Sequence, residues 1–236
     1  MRALSLDALT LLPLADWLAV LLFFAGWTGY ARFARRRAAH RPSILGLTNR
    51  ARHAWMLRAT YRDNRVFDSV VTQSMSSSPS FFASTTILII GGLLAVLGTA
   101  DKAAELAREL PFAAQTSALV FDLKVVLLAG IFVFAFFRFT WSIRQYSFGA
   151  LLLAAAPQRD DGWTEPERQA FADRAGGIMG QAAESFNDGL RAYYMAFAAV
   201  AWFVSPWAFL VGTAAVVAIL YRREFHSDVL HLLAQP

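Results

Sequence analysis

The chain has 236 residues, of which 57% are hydrophobic and 17% are charged, and it carries a formal net charge of +5. An ordinary soluble domain has about 25% charged residues, so this composition is typical of a membrane protein. There is no cysteine, which excludes disulfides, thiolate catalysis and thiolate metal sites. Because the positive charge lies beside an apolar segment, we attribute it to topology and anionic lipid, and we expect no nucleic-acid binding.

Four segments are apolar enough to cross a bilayer core of about 30 Å, which takes about 20 helical residues. They cover approximately residues 11–33, 81–100, 119–141 and 193–221. The fourth contains Pro206, which predicts a kink or tilt inside that span. The strong positive charge follows the first segment, so we expect an uncleaved anchor rather than a signal peptide.

Basic residues are unequally divided between the predicted connections. The first and third connections hold fifteen: Arg32, Arg35, Arg36, Arg37, Arg41, Arg50, Arg52, Arg58, Arg62, Arg65, Arg144, Arg159, Arg168, Arg174 and Arg191. The opposite side holds five: Arg2, Lys102, Arg108, Arg222 and Arg223. The positive-inside rule predicts cytoplasmic long connections, with both termini on the periplasmic or extracellular side. The alanine-rich composition and the excess of arginine over lysine favour a GC-rich bacterial source, so we expect the spans to lie in a bacterial inner (plasma) membrane.

The first connection has the apolar spacing of an amphipathic helix over about residues 49–77, with Asn49 as its N-cap. We expect Arg65 and Asp68 to pair on its surface, since they are three residues apart. The helix is predicted to break at residues 76–80, where Ser78 would cap and Pro79 would open the second span.

The second connection predicts another amphipathic helix over about residues 165–190, which can continue into the fourth span. Thr164 and Glu167 have the spacing of a capping box at its start. We expect this helix to pack on the first cytoplasmic helix. Gly176, Gly177 and Gly180 would permit a close approach of the two backbones.

Polar residues near the spans are candidates for a solute pathway: Ser78, Ser80, Ser84, Thr85, Asp122, Lys124 and Arg138. The charged ones lie near the ends of the third span, so snorkelling to the interface is the first interpretation. Lining of a pathway and an ion pair between Asp16 and Lys124 are the alternatives. For the serine and threonine residues, we favour a role in a helix break with an N-cap over the lining of an aqueous vestibule.

No signature of a cofactor or of catalysis is present. His40, His53, His226 and His231 all lie outside the predicted spans, which argues against membrane haem. The two C-terminal histidines are five residues apart, which does not suit a helical zinc motif. Nucleotide-binding, serine-hydrolase and metalloprotease motifs are missing. We therefore expect neither a cofactor nor an enzyme.

Five short strings carry a resemblance to a known family: Arg52–Met56, Arg62–Arg65, Ser80–Thr86, Gly189–Tyr194 and Tyr221–Phe225. In this order they resemble the uncharacterised four-span membrane proteins of bacteria and plants called domain of unknown function 599. The resemblance covers residues from about 15 to 232. It implies the architecture and brings no activity, substrate or cofactor.

The resemblance directs attention to polar residues near the cytoplasmic interface: Arg62, Asp63, Asn64, Arg65, Asp68, Asn187 and Arg191. Paired and hydrogen bonded, such groups hold helices in register, whereas unpaired they destabilise a protein. A structural clamp is the first interpretation of this set. A site for a solute or a lipid headgroup is the second.

Together these patterns predict an all-α fold and a single integral membrane domain over residues 1–236, a bundle of four transmembrane helices with two additional amphipathic cytoplasmic helices. We expect a homo-oligomeric, channel-like or solute-pathway protein. The alternative is a non-transporting accessory or scaffold subunit of a membrane complex, or a lipid-binding membrane protein. The expected partners are the lipid bilayer, including anionic lipid, and a second copy or another membrane protein.

Overall fold

The computed structural model describes residues 12–38, 41–98, 117–159 and 161–235. Within these ranges every regular element is a helix, which confirms the all-α class. The α-helices are α1 (Leu14–Ala38), α2 (Ile44–Ala59), α3 (Val66–Leu97), α4 (Ala118–Ala155), α5 (Glu165–Val200), α6 (Pro206–Phe225) and α7 (Asp228–Leu233). Three of them, α1, α3 and α4, are long and apolar enough to cross a membrane.

The chain divides into two compact units. Unit 1 consists of Met1–Arg37, Ile87–Phe134 and Arg191–Arg222, and unit 2 consists of Ala38–Thr86, Ala135–Leu190 and Arg223–Pro236. The single integral domain stays a prediction. The N-terminal residues, the end of the second predicted span and the connection after it, with Arg2, Lys102 and Arg108, lie outside the described residues.

The predicted cytoplasmic helix over residues 49–77 is wrong, because the chain forms two helices there. α2 begins earlier, where the Ser43 hydroxyl accepts a hydrogen bond from the Gly46 amide at 3.1 Å. It ends at Ala59, and the hydroxyl of the C-cap residue Thr60 donates to the Leu57 carbonyl at 2.7 Å. α3 then starts at Val66, whose amide donates to the Asn64 side chain at 2.9 Å.

The break predicted at residues 76–80 is also wrong, since α3 continues through Pro79. Ser78 is therefore not an N-cap. Proline has no amide hydrogen, so the Met75 carbonyl loses its usual helical partner. One residue on, the Ser80 hydroxyl donates to the Ser76 carbonyl at 2.9 Å. Pro79 is fully buried, and we attribute the continuous helix to this packing, which outweighs the local signal.

The fourth predicted span, residues 193–221, is not one helix. α5 runs unbroken from the predicted cytoplasmic segment to Val200, as expected, and a 3-10 turn follows at Ala201–Phe203. The Ser205 hydroxyl then accepts a hydrogen bond from the Ala208 amide at 3.0 Å. Pro206 occupies the first position of α6, where a missing amide hydrogen does no harm. It starts a helix instead of kinking one.

Contacts within unit 1 give the directions of its helices. α1 and α6 run parallel, because the rings of Phe23 and Phe209 lie 4.8 Å apart near their beginnings and those of Phe33 and Tyr221 lie 6.1 Å apart near their ends. The end of α5 is antiparallel to α4, since Tyr193 meets Phe132 with ring centres 5.1 Å apart and Trp202, just beyond α5, contacts the earlier residue Lys124. The chain reverses its direction between α5 and α6, because the Trp202 ring stacks on Phe209 and a Cβ atom added to Gly212 would lie 3.4 Å from the Ala198 Cα.

In unit 2, α2 packs closely on α5, as predicted from the glycines. A Cβ atom added to Gly176 would lie 2.9 Å from the His53 Cα, and one added to Gly180 would lie 3.2 Å from the Asn49 side-chain oxygen. Gly177 faces open space and takes no part. Met56 and Met179 are fully buried in the core of this unit.

Candidate functional site

Asp68 is the centre of a buried polar cluster in unit 2. One carboxylate oxygen, Oδ1, accepts hydrogen bonds from Trp55 Nε1 at 2.7 Å and from Arg62 Nη1. The Asp68 side chain is fully buried, whereas Arg62 is 36% exposed. The first turn of α3 holds Asp68, so the helix dipole also favours its negative charge. The predicted surface pair of Asp68 with Arg65 is replaced by this buried pair with Arg62.

Arg65 instead binds the carbonyl groups that end α4. Its Nη1 donates to Ala156 at 2.6 Å and to Leu153 at 3.4 Å, and its Nη2 donates to Pro157. The last carbonyls of a helix have no partner within the helix, and they carry its partial negative charge. The guanidinium of Arg65 therefore caps α4 and fixes the turn between α2 and α3.

Arg168 caps the end of α2 in the same way, by binding a backbone carbonyl there. It is buried on α5, and it donates from Nη1 to the Thr60 carbonyl and from Nη2 to the Arg159 carbonyl at 3.2 Å. Its guanidinium also lies over the Tyr61 ring, 4.4 Å from the centre. Sequence reasoning placed this arginine only in the count of basic residues.

The remaining members of the predicted polar network do not join this cluster. Asp63 pairs with Arg159 at 3.5 Å, and both side chains are more than half exposed. Asn64 caps the start of α3. Asn187 is half-buried on α5 and takes no part in the hydrogen bonds of the described residues. Arg191 belongs to unit 1, where it is buried over the Tyr30 ring.

Trp202 holds two buried ionisable residues of unit 1. Its indole Nε1 donates to the Asp16 carboxylate at 2.6 Å, and its backbone carbonyl accepts from Lys124 Nζ at 3.0 Å. The ammonium group also lies 5.4 Å from the centre of the Trp202 ring. Asp16 and Lys124 thus meet through Trp202 instead of forming the direct ion pair that was the alternative. Asp122 is half-buried, and its Oδ1 has no hydrogen-bond partner among the described residues.

Three of the other pathway candidates, Arg138, Thr85 and Ser80, also make structural contacts. Arg138 pairs with Asp188 at 2.6 Å in unit 2. The Thr85 hydroxyl donates to the Phe81 carbonyl of its own helix at 2.9 Å, and Ser80 makes the corresponding bond. Ser78 and Ser84 are exposed on α3.

Two acidic residues near the start of α5 have local partners. The Glu167 carboxylate accepts hydrogen bonds from the Thr164 amide and hydroxyl, both at 2.8 Å, which lower the pKa of Glu167. These bonds provide the carboxylate half of the predicted capping box. Tyr61 donates to Glu165, and this hydrogen bond raises the pKa of the Tyr61 hydroxyl.

No cluster of three or more acidic or histidine residues able to hold a metal occurs in the described ranges. His53 contacts Asp173 at 2.6 Å, and Gln169 lies 3.3 Å from the same ring nitrogen. At the C-terminus, Glu224 accepts a hydrogen bond from the Leu45 amide at 3.2 Å. That carboxylate therefore holds the start of α2.

A family model described as protein of unknown function, DUF599, matches residues 18–229. The chain belongs to the DUF599 family. We found no match among the curated proteins and none among the solved structures. Membership confirms the resemblance seen in the five short strings. The family description assigns no activity to the Asp68 cluster or to the Trp202 contacts.

Proposed function

We propose that this DUF599 protein is a non-transporting membrane scaffold in a bacterial inner membrane. In this role unit 1 anchors the chain in lipid and unit 2 binds another membrane protein. The observation that carries the proposal is the use of the candidate pathway residues. Lys124 and Arg138 bind groups of the protein itself, and Thr85 donates its hydroxyl hydrogen to its own helix, which argues against a pathway that replaces the hydration shell of a solute with these groups.

Exposed apolar side chains in unit 2 support a protein partner. Phe148 and Leu151 lie three residues apart on α4, beyond the predicted end of the third span, and they are 40% and 66% exposed. Phe67 and Val70 on α3 are 65% and 61% exposed. Large apolar side chains that are exposed outside lipid are candidates for an interaction site. The arginine caps on α2 and α4 would keep this surface preformed.

Photocrosslinking in living cells tests the scaffold role. Benzoylphenylalanine at Phe148 or Leu151 should give a discrete protein adduct, and the same group at Arg50, exposed on α2, should not. The adduct should disappear when Leu151→Asp is combined with the probe at Phe148. Absence of an adduct at both positions, or the same adduct at Arg50, would contradict the proposal.

A homo-oligomeric channel is the second candidate, and exposed small residues on α3 favour it. Ser84, Gly91 and Gly92 are exposed, and the two glycines have open space where a Cβ atom would lie. Several copies could line a pore with this face. Purified protein in liposomes should then conduct ions, and Ser84→Trp should block the current. For a scaffold, the conductance should equal that of empty liposomes.

For topology, we infer that the C-terminus is cytoplasmic, contrary to the sequence prediction. The hydrogen bond between Leu45 and Glu224 joins the C-terminal segment to the arginine-rich first connection. α6 also runs parallel to α1, whose last turn carries Arg35, Arg36 and Arg37. With Arg222 and Arg223 on the cytoplasmic side, seventeen basic residues lie on that side and three on the outer side. This division agrees better with the positive-inside rule than the fifteen and five of the sequence prediction.

Cysteine labelling tests this topology without background, since the chain has no cysteine. An impermeant maleimide should label Gln115→Cys, in the predicted outer connection, on intact cells. Arg50→Cys and Gln235→Cys should be labelled only after the membrane is permeabilised. Labelling of Gln235→Cys on intact cells would overturn the inference.

A further inference from the structure

An open groove of about 850 Å³ runs between α1 and α6 in unit 1. Ala25, Gly29, Ala214 and Ala218 are among the small residues that line it. A Cβ atom added to Gly29 would meet no atom within 4 Å, so the missing side chain leaves space in the groove. The volume is that of an ordinary small-molecule site, about 300–1,000 Å³, and the lining is almost entirely apolar.

The length of the groove fits one leaflet of a bilayer. Its lining on α1 extends from Leu22 to Phe33, which is about 17 Å of helix axis at 1.5 Å per residue. One leaflet contributes about 15 Å of hydrocarbon, half of the core of about 30 Å. An acyl chain lying along the groove would therefore have the end that joins the headgroup near Phe33 and Tyr221.

Positive charge is concentrated at that end. The guanidinium of Arg37 lies 5.4 Å from the centre of the Phe33 ring and 5.8 Å from that of Tyr221. Arg36 is exposed in the same last turn of α1, and Arg222 follows Tyr221 on α6. Because the two helices run parallel, both basic ends lie at the same mouth of the groove. An apolar channel that ends at arginines complements an anionic phospholipid.

We propose that this groove is a specific site for an anionic phospholipid, with one acyl chain between α1 and α6 and the phosphate beside Arg37. The lipid site goes beyond the scaffold role and would stand without it. Only its assignment to the cytoplasmic leaflet depends on the topology inferred above.

Native mass spectrometry of the detergent-solubilised protein, with added phosphatidylglycerol or phosphatidylethanolamine, tests the site. Wild-type protein should retain phosphatidylglycerol several-fold better than the zwitterionic lipid. Gly29→Leu should abolish most of this retention, because the new side chain fills the groove without a clash. Gly92→Leu is the matched control, since Gly92 is also exposed with open space around it, and it should retain lipid as the wild type does.

The headgroup contact has a separate test. Arg37→Gln should remove the preference for phosphatidylglycerol while weak binding of both lipids persists, and Arg50→Gln should leave the preference unchanged. Equal retention of the two lipids by the wild type, or no effect of Gly29→Leu, would overturn the site. A wild-type dimer that Gly29→Leu converts to a monomer, with lipid retention unchanged, would also overturn it, because a second copy would then occupy the groove.

Discussion

The two units of the molecule use buried charge in different ways. In unit 1, Asp16 and Lys124 are both satisfied by Trp202, through its indole nitrogen and its backbone carbonyl. In unit 2, Arg65 and Arg168 bind carbonyl groups at helix ends, and the fully buried Asp68 side chain pairs with Arg62. A buried charge without a partner is costly, and sharing one aromatic residue keeps the number of buried polar groups in unit 1 small. In unit 2, arginines fix the ends of helices instead.

This difference shows which contacts hold each unit together. Removing a polar group from unit 2 should release a helix end or a turn, whereas removing one from unit 1 should leave a charge without its partner. Predictions that compare a buried contact with a matched exposed one can test this view in each unit.

The largest effect is expected for Asp68→Ala in unit 2. The substitution leaves Trp55 and Arg62 without their acceptor and should lower the free energy of unfolding by about 3 kcal/mol. The control is Asp63→Ala, since Asp63 and its partner Arg159 are 72% and 57% exposed, and an exposed pair contributes less than about 1 kcal/mol. Both values can be measured by SDS titration in mixed micelles, followed by circular dichroism. Equal losses would show that burial of Asp68 contributes nothing.

In unit 1, Trp202→Phe should cost about 2 kcal/mol. An aromatic ring is kept and the backbone carbonyl can still bind Lys124, but Asp16 loses its indole donor and remains buried. Trp207→Phe is the control, because Trp207 is 71% exposed, and it should change little. The same titration measures both variants. If the two are equally stable, Trp202 does not link the charged groups of unit 1.

Packing in unit 2 is tested by a pair of neighbouring glycines. Gly176→Ala would place a Cβ atom 2.9 Å from the His53 backbone, which cannot move as a flexible side chain could, and should cost about 1–2 kcal/mol. Gly177→Ala meets nothing within 4 Å and should stabilise α5 by up to about 1 kcal/mol, because alanine favours the helix. A lower apparent melting temperature for Gly176→Ala and a higher one for Gly177→Ala would confirm the close approach of α2 and α5. Stabilisation by both substitutions would contradict it.

The sequence was informative where the signal is local. The helical class, the Thr164 and Glu167 contact and the glycine approach in α5 each depend on residues a few positions apart or on small size alone. The turn after α2 and the reversal before α6 were missed, since they depend on contacts across the chain. Arg65 reaches a carbonyl 88 residues away, and Trp202 reaches Asp16 across 186 residues. No spacing rule can reveal such pairs.

The smallest effect concerns pH and the start of α5. Hydrogen bonds from Thr164 lower the pKa of Glu167 from its usual value of 4.5, so the folded state favours the charged carboxylate. The resulting stability is present above the unfolded pKa and is lost as pH falls through the lower folded value. The amide protection factors in the first turn of α5, which are corrected for the intrinsic pH dependence of exchange, should therefore fall on acidification below about pH 4.5, relative to those in the rest of unit 2. In Glu167→Gln these protection factors should depend little on pH in this range, because a neutral amide can still accept the bond from Thr164 but does not titrate. A pH dependence that is the same in both proteins would assign the acid sensitivity to another group of unit 2 and leave the cap a neutral contact.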